Sequence, residues 1–213
     1  MTHDELIASL RADLAPVSRT MVGRRLAMGV AAGGLVSIAL IALTLGFRPD
    51  LWLAMQGPAF WIKWGYSGSL AAGAIIATAR LARPDPGNLR RLWLVAVPVL
   101  ALAAIGVHEL LSTPRTHWLA MWLGETWSKC PWLVLTLAMP IFIGLLWSFR
   151  QLAPTHLRAA GAAAGLAAGA FSATVYCLHC PEVSAIFVLT WYSLGILAAA
   201  AFGALVGPKL LRW

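Results

Sequence analysis

The chain has 213 residues, 60% of them hydrophobic and 11% charged, with 16 Lys and Arg against 8 Asp and Glu. Soluble domains carry about 25% charged residues, so a mean hydropathy of +0.78 excludes an ordinary soluble domain and places the chain in the membrane class. A net charge of +8 would fit a nucleic-acid binder, but the way the charge is distributed points elsewhere.

In chain order, residues 2–14 read as a short amphipathic helix. Thr2 and Glu5 have the spacing at which a hydroxyl and a carboxylate satisfy each other's free backbone N–H groups. Leu6, Leu10 and Leu14 recur at i, i+4 and i+8 with Ile7 alongside, and Pro16 ends the run. Helices that lie on an anionic membrane surface carry Lys and Arg on the polar face, whereas this one sets Asp4, Glu5 and Asp13 against Arg11 alone. Such a helix suits a groove on a partner protein better than lipid. A cleaved signal peptide is not expected. The first 25 residues mix acids and bases, and the apolar run after them exceeds the about 7–15 residues of a signal core.

Six apolar windows follow, at 26–47, 62–81, 91–111, 131–149, 157–177 and 184–207. Each approaches the about 20 residues that cross a hydrocarbon core as a helix. The expected fold is therefore all-α and polytopic: a tail over residues 1–25 and a domain of six transmembrane helices over residues 26–213.

Positive residues collect on the cytoplasmic side of short-loop membrane proteins. With the N-terminus inside, the inner segments hold Arg11, Arg19, Arg24, Arg25, Arg80, Arg83, Arg90, Arg91, Arg150, Arg158, Lys209 and Arg212. The outer ones hold Arg48, Lys63, Arg115 and Lys129. Both termini are thus expected in the cytoplasm of a bacterial inner-membrane protein. The basic isoelectric point then reflects topology and anionic inner-leaflet lipid, with no patch left for nucleic acid.

The two longer outer loops resemble each other. Trp52-Leu53-Ala54-Met55 matches Trp118-Leu119-Ala120-Met121, and at the same offset Trp61 matches Trp127 and Lys63 matches Lys129. The shared register suggests a duplicated hairpin with Trp-rich short helices in the headgroup belt. Gly161, Gly165 and Gly169 of the fifth span, with Gly195, Ala199, Gly203 and Gly207 of the sixth, form small-residue faces that permit close helix contact.

The chemistry of the chain is concentrated in Tyr176-Cys177-Leu178-His179-Cys180-Pro181-Glu182, and this segment, like Cys130, falls on the outer side. Outside the cytoplasm thiols oxidise readily. A structural disulfide is one reading. A redox switch is another, with Cys130 as third partner, because Cys-x-x-Cys at a helix end favours a reducible bridge and three thiols leave one over. Metal binding is a third: Cys130, Cys177 and Cys180 with His179 offer ligands suited to copper or zinc, and Glu182 could support them. A c-type haem needs Cys-x-x-Cys-His, and Pro181 stands in the histidine's place. Ion-coupled transport is not expected, since ionisable groups are missing from mid-span and His108 and Glu109 reach only the outer end of the third span. The inner segments are too short for an enzymatic domain. A sensor remains, with thiols outside and a short helix inside.

The N-terminal "DELIASLRADLAPVSR", six spans, "KCPW" and "CLHCPE" resemble the NrsF family of bacterial inner-membrane anti-sigma factors, which pair with extracytoplasmic-function (ECF) sigma factors of the SigF type. The resemblance implies that the tail sequesters the sigma factor, with Leu6, Ile7, Leu10, Asp13 and Leu14 as docking face. It also implies that Cys130 and Cys180 sense metal or oxidative stress, with Cys177 a third ligand or resolving thiol. No cofactor is required by it, copper or zinc being stimuli. The competing assignment is a quinone-linked thiol–disulfide oxidoreductase of the DsbB or vitamin K epoxide reductase type, enzymes that use two cysteine pairs where this chain has three cysteines.

Overall fold

The structure, a computed structural model, describes residues 20–82, 90–149, 152 and 154–211. The expected sigma-docking helix, with Leu6, Ile7, Leu10, Asp13 and Leu14, lies outside the described residues. Within them the chain is helical, with no strand.

Helix α1 (Met21–Leu45) closes in a wider, π-type turn and stops at Gly46, whose φ of +75° a side chain would resist. Two short helices, α2 (Leu51–Gln56) and α5 (Trp118–Leu123), occupy the matched Trp-Leu-Ala-Met segments. The long helices are α3 (Pro58–Leu81), α4 (Trp93–Leu111), α6 (Cys130–Phe149), α7 (Leu157–Tyr176) and α8 (Ala185–Leu210). Pro58 starts α3, where a missing N–H costs nothing.

Among the described residues, five helices are long and apolar enough to cross a membrane: α1, α4, α6, α7 and α8. The expected sixth span coincides with α3, whose 24 residues extend about 36 Å. Composition alone does not qualify α3, because Lys63, Tyr66, Ser67 and Thr78 all lie on its buried face.

Helix α7 sits at the centre. It is the most buried of the five apolar helices and also the least hydropathic, built of Ala and Gly where it meets its neighbours. That inversion suits a bilayer, where the outside is apolar and close backbone approach holds helices together. The expected glycine faces meet: a Cβ on Gly161 would strike the Gly203 carbonyl, and one on Gly165 the Ala199 carbonyl. A second seam, not foreseen, joins α1 to α6 through Gly29 against Gly144 and Gly33 against Ile141. Buried hydroxyls also tie helices together, α1 to α6 twice and α7 to α6 once. Ser37 donates to the Leu137 carbonyl (2.8 Å), Ser172 to Val134 (2.7 Å) and Ser148 to Arg25 (2.9 Å).

Candidate functional site: a buried thiol cluster at one end of the bundle

The cluster forms where three chain segments turn at the same end of the bundle. Cys130 opens α6, its N–H donating to the Thr126 carbonyl at 2.9 Å. Cys177 caps α7, and its thiol donates to Ala173 at 3.3 Å. The turn then tightens, with the N–H groups of His179 and Cys180 both donating to the Tyr176 carbonyl at 3.0 Å. Pro181, having no N–H, cannot extend it. All three thiols are free, fully buried and part of one core with Tyr176, Tyr192 and Leu102. Cys130 thus lies beside the 177–180 turn in the same buried core.

Two cations hold this turn, and both act on its backbone. Lys63 of α3 is 1% exposed, and its ammonium donates to the carbonyls of Cys180 (3.2 Å) and Glu182. Arg48 donates from a guanidinium nitrogen to the Cys180 carbonyl (3.3 Å) and from its backbone N–H to Leu178 (3.1 Å). Its guanidinium is aligned by a two-point ion pair with Asp50 at 2.7 and 2.8 Å. That pair raises the pKa of Arg48 and lowers that of Asp50.

His179 does not join the thiols. Its Nδ1–H donates to the Gly46 carbonyl at 2.8 Å and fastens the turn to the end of α1. Glu182 likewise acts as a brace, accepting the N–H of Glu125 (2.8 Å) and both the N–H and hydroxyl of Thr126 (3.1 Å each). Gly124 makes room for this carboxylate. At φ +57° it takes a backbone shape side chains avoid, and a Cβ there would lie 2.6 Å from Glu182 Oε2. Glu109 of α4 completes the frame, its Oε2 accepting the Ala185 N–H (2.8 Å) and the Ser184 hydroxyl (3.1 Å) at the start of α8.

Among the described residues, no three His, Cys, Asp or Glu side chains stand close enough together to hold a metal ion. The thiols of Cys130, Cys177 and Cys180 therefore share one packed core without forming a ready three-ligand site, and His179 is engaged elsewhere. The polar groups beside the sulfurs include Ser67 and Tyr176 as well as Tyr192, whose fully buried hydroxyl adjoins Cys177 and Cys180 and lacks an ordinary hydrogen-bond partner.

Burial pushes the Cys177 thiol up to about 11, with the Lys63 ammonium opposing. The folded state thus keeps a proton that an unfolded thiol releases near about 8.5. Stability from this group is full below that value and declines as pH rises towards 11. Iodoacetamide at pH 8 is expected to leave all three thiols of the native protein unmodified, and detergent denaturation to expose all three, as read by intact mass. Modification of native Cys177 at pH 8 would contradict this.

Sequence reasoning missed Lys63 and Arg48 as site residues, treating both as outer-surface charges, and it left Glu109 and the two tyrosines without a role. The available signal was Lys63 itself, the single lysine inside the 62–81 window.

Comparison with known proteins agrees over the whole length. The family NrsF, negative regulator of sigma F, matches residues 10–213. The chain is 40% identical over 216 residues to the Probable anti-sigma-F factor NrsF of Azospira oryzae. It is 38% identical over 215 residues to the Anti-sigma-F factor NrsF of Caulobacter vibrioides. Both alignments cover 100% of each chain. No solved structure matches.

Proposed function

The chain belongs to the NrsF family of negative regulators of sigma F, and from that membership we propose that it is an anti-sigma factor of the bacterial inner membrane. Its partner is an ECF sigma factor of the SigF type, held at the cytoplasmic face by the tail through Leu6, Ile7, Leu10, Asp13 and Leu14. All six long helices cross the membrane, α3 included, and both termini are cytoplasmic. The protein is a regulator and catalyses no reaction.

What supports this role is the separation of its two working ends. The thiols gather where α1 ends, at Gly46 and His179. Helix α1 begins at the opposite end, where its Arg25 carbonyl accepts the Ser148 hydroxyl near the end of α6. A stimulus acting on the buried thiols therefore has a rigid route across the bilayer in the glycine-joined α7 and α8.

The input we propose is thiol-reactive, an oxidant or a thiophilic metal such as copper or zinc, acting at Cys130 and Cys180 with Cys177 as third partner. An oxidant would remove two electrons and two protons from Cys130 and Cys180 and join them as a disulfide. Because Lys63, Arg48, His179 and Glu182 all brace the same turn, any such change strains contacts to α1, α3 and the 124–126 loop together.

Co-purification tests both halves. Full-length protein in detergent is expected to retain the sigma factor, and Leu6→Asp with Leu10→Asp to weaken retention at least about tenfold, since two buried leucines contribute roughly 1.5–3 kcal/mol each. Cys130→Ala with Cys180→Ala is expected to retain the sigma factor normally and to fail to release it on treatment with copper or peroxide. Normal release from the double cysteine variant would refute the sensing role, and unchanged capture by the leucine variant the docking role.

A further inference from the structure

Helix α8 widens into a π-type turn over Val188–Tyr192, a local distortion that often accompanies working sites. The turn is held from outside by indoles: Trp191 donates its N–H to the Trp122 carbonyl (2.7 Å), and Trp122 donates to the Thr190 hydroxyl (3.2 Å). On the inner side two neighbouring hydroxyls are treated differently. That of Ser193 pairs with the Tyr66 hydroxyl at 2.6 Å. That of Tyr192 is fully buried and meets no hydrogen-bond partner among the described residues, while its ring packs on Tyr176 with centroids 5.6 Å apart. Protein cores pair nearly all such groups, and one left alone costs stability.

The orphan hydroxyl adjoins the sulfurs of Cys177 and Cys180. A thiol is a weak hydrogen-bonding group, so the reduced cluster offers the phenol little. One oxygen added to sulfur changes that, because a sulfenic acid, the first and reversible product of thiol oxidation, carries an oxygen acceptor. Of the two sulfurs, Cys177 already donates to the Ala173 carbonyl, whereas Cys180 has a second phenol, Tyr176, beside it. We propose that the Tyr192 hydroxyl is placed to bind the sulfenic acid of Cys180, donating a hydrogen bond to the oxygen that a hydroperoxide leaves on that sulfur. In this step the Cys180 sulfur takes the terminal peroxide oxygen and loses two electrons. The O–O bond breaks, and the departing oxygen leaves with the thiol proton as alcohol or, from hydrogen peroxide, as water. The Cys130 thiol then attacks the sulfenic sulfur, forming the disulfide and releasing water. The inference rests on the thiol-sensing reading above and adds the group that favours its first step.

The test follows oxidation of the full chain in detergent by hydrogen peroxide, with remaining thiols blocked under denaturation and counted by intact mass. The wild type is expected to lose two thiols to a disulfide. Tyr192→Phe is expected to do so about tenfold more slowly, the effect of one hydrogen bond. It should melt no lower than the wild type, since the hydroxyl it removes pairs with nothing in the reduced protein. Tyr66→Phe, which breaks the bond to Ser193, is expected to melt lower without slowing the oxidation. With Cys130→Ala and Cys177→Ala combined, dimedone added with the denaturant is expected to trap one adduct, on Cys180, and Tyr192→Phe in that background to reduce its yield. Equal oxidation rates for the wild type and Tyr192→Phe, a lower melting temperature for Tyr192→Phe, or no adduct on Cys180 would overturn this inference alone. Wild-type cysteines that peroxide leaves reduced would overturn it together with oxidant sensing.

Discussion

Lys63→Met is expected to destabilise the protein by about 2–4 kcal/mol and to make Cys177 and Cys180 reactive without any stimulus. Lys129→Met, at the matched position of the other loop, is expected to change stability by less than about 0.5 kcal/mol. Lys63 is buried and its ammonium satisfies two carbonyls, whereas Lys129 is exposed. A buried acceptor left without its donor costs about 1–3 kcal/mol. The Glu182 carbonyl would lose its ammonium donor, and the Cys180 carbonyl would keep only the longer bond from Arg48. Relief of the buried charge offsets part of this, which is why the cost stays in the range of two hydrogen bonds. Thermal unfolding in detergent gives the first number and maleimide labelling the second. A Lys63→Met protein that melts like the wild type with its thiols still protected would show that the ammonium does not hold the turn.

The second large effect is expected at the α7–α8 seam. Gly161→Leu or Gly203→Leu should each cost about 3 kcal/mol or more, the upper end for overpacking. The first added carbon already meets a backbone carbonyl of the facing helix, and a backbone cannot swing aside as a side-chain tip can. Gly34→Leu provides the contrast: open space surrounds that Cβ, so it should melt as the wild type does. For the proposed regulator, a wedge in this seam should also uncouple sigma release from the thiols. Wild-type melting of both seam variants would remove the seam as the bundle's fastening.

Much of this architecture is legible in the sequence, for physical reasons. Hydrocarbon demands long apolar runs, so the windows found by hydropathy coincide with helices, and the small-residue spacing on α7 and α8 marks their contact. Helix α3 shows where hydropathy stops being enough: Lys63, Tyr66, Ser67 and Thr78 are buried against protein, and an average over the helix cannot tell buried from exposed positions apart. Lys63 shows the same limit for charge. Counting it among outer-loop cations says nothing of burial, and the likeness of Lys63 to Lys129 ends once one points inward and the other into solvent. The cysteine turn is readable as a cluster, and the fold buries Cys130 in the same core. The roles of His179 and Glu182 are not, because a histidine or carboxylate beside cysteines suggests a ligand by type. Which donor or acceptor it meets depends on Gly46 and Thr126, far away in sequence. The docking face on the tail is a pattern in the sequence alone.

The Ala- and Gly-rich surface of α7 also bears on how the protein is made. A helix of mean hydropathy 1.3 beside partners near 2.0 gains less from hydrocarbon than they do when it leaves the insertion machinery alone. Its small side chains bring little apolar area to lipid, and it is held by the helices packed around it, α8 most closely. The two are joined by only eight residues, 177–184, so they are suited to enter the bilayer as a preformed hairpin. The thiol turn would then be the tip that crosses first. On that account Cys177 and Cys180 enter the bilayer before the bundle closes over them, and the packing of the turn is completed when Lys63 of α3 meets its carbonyls.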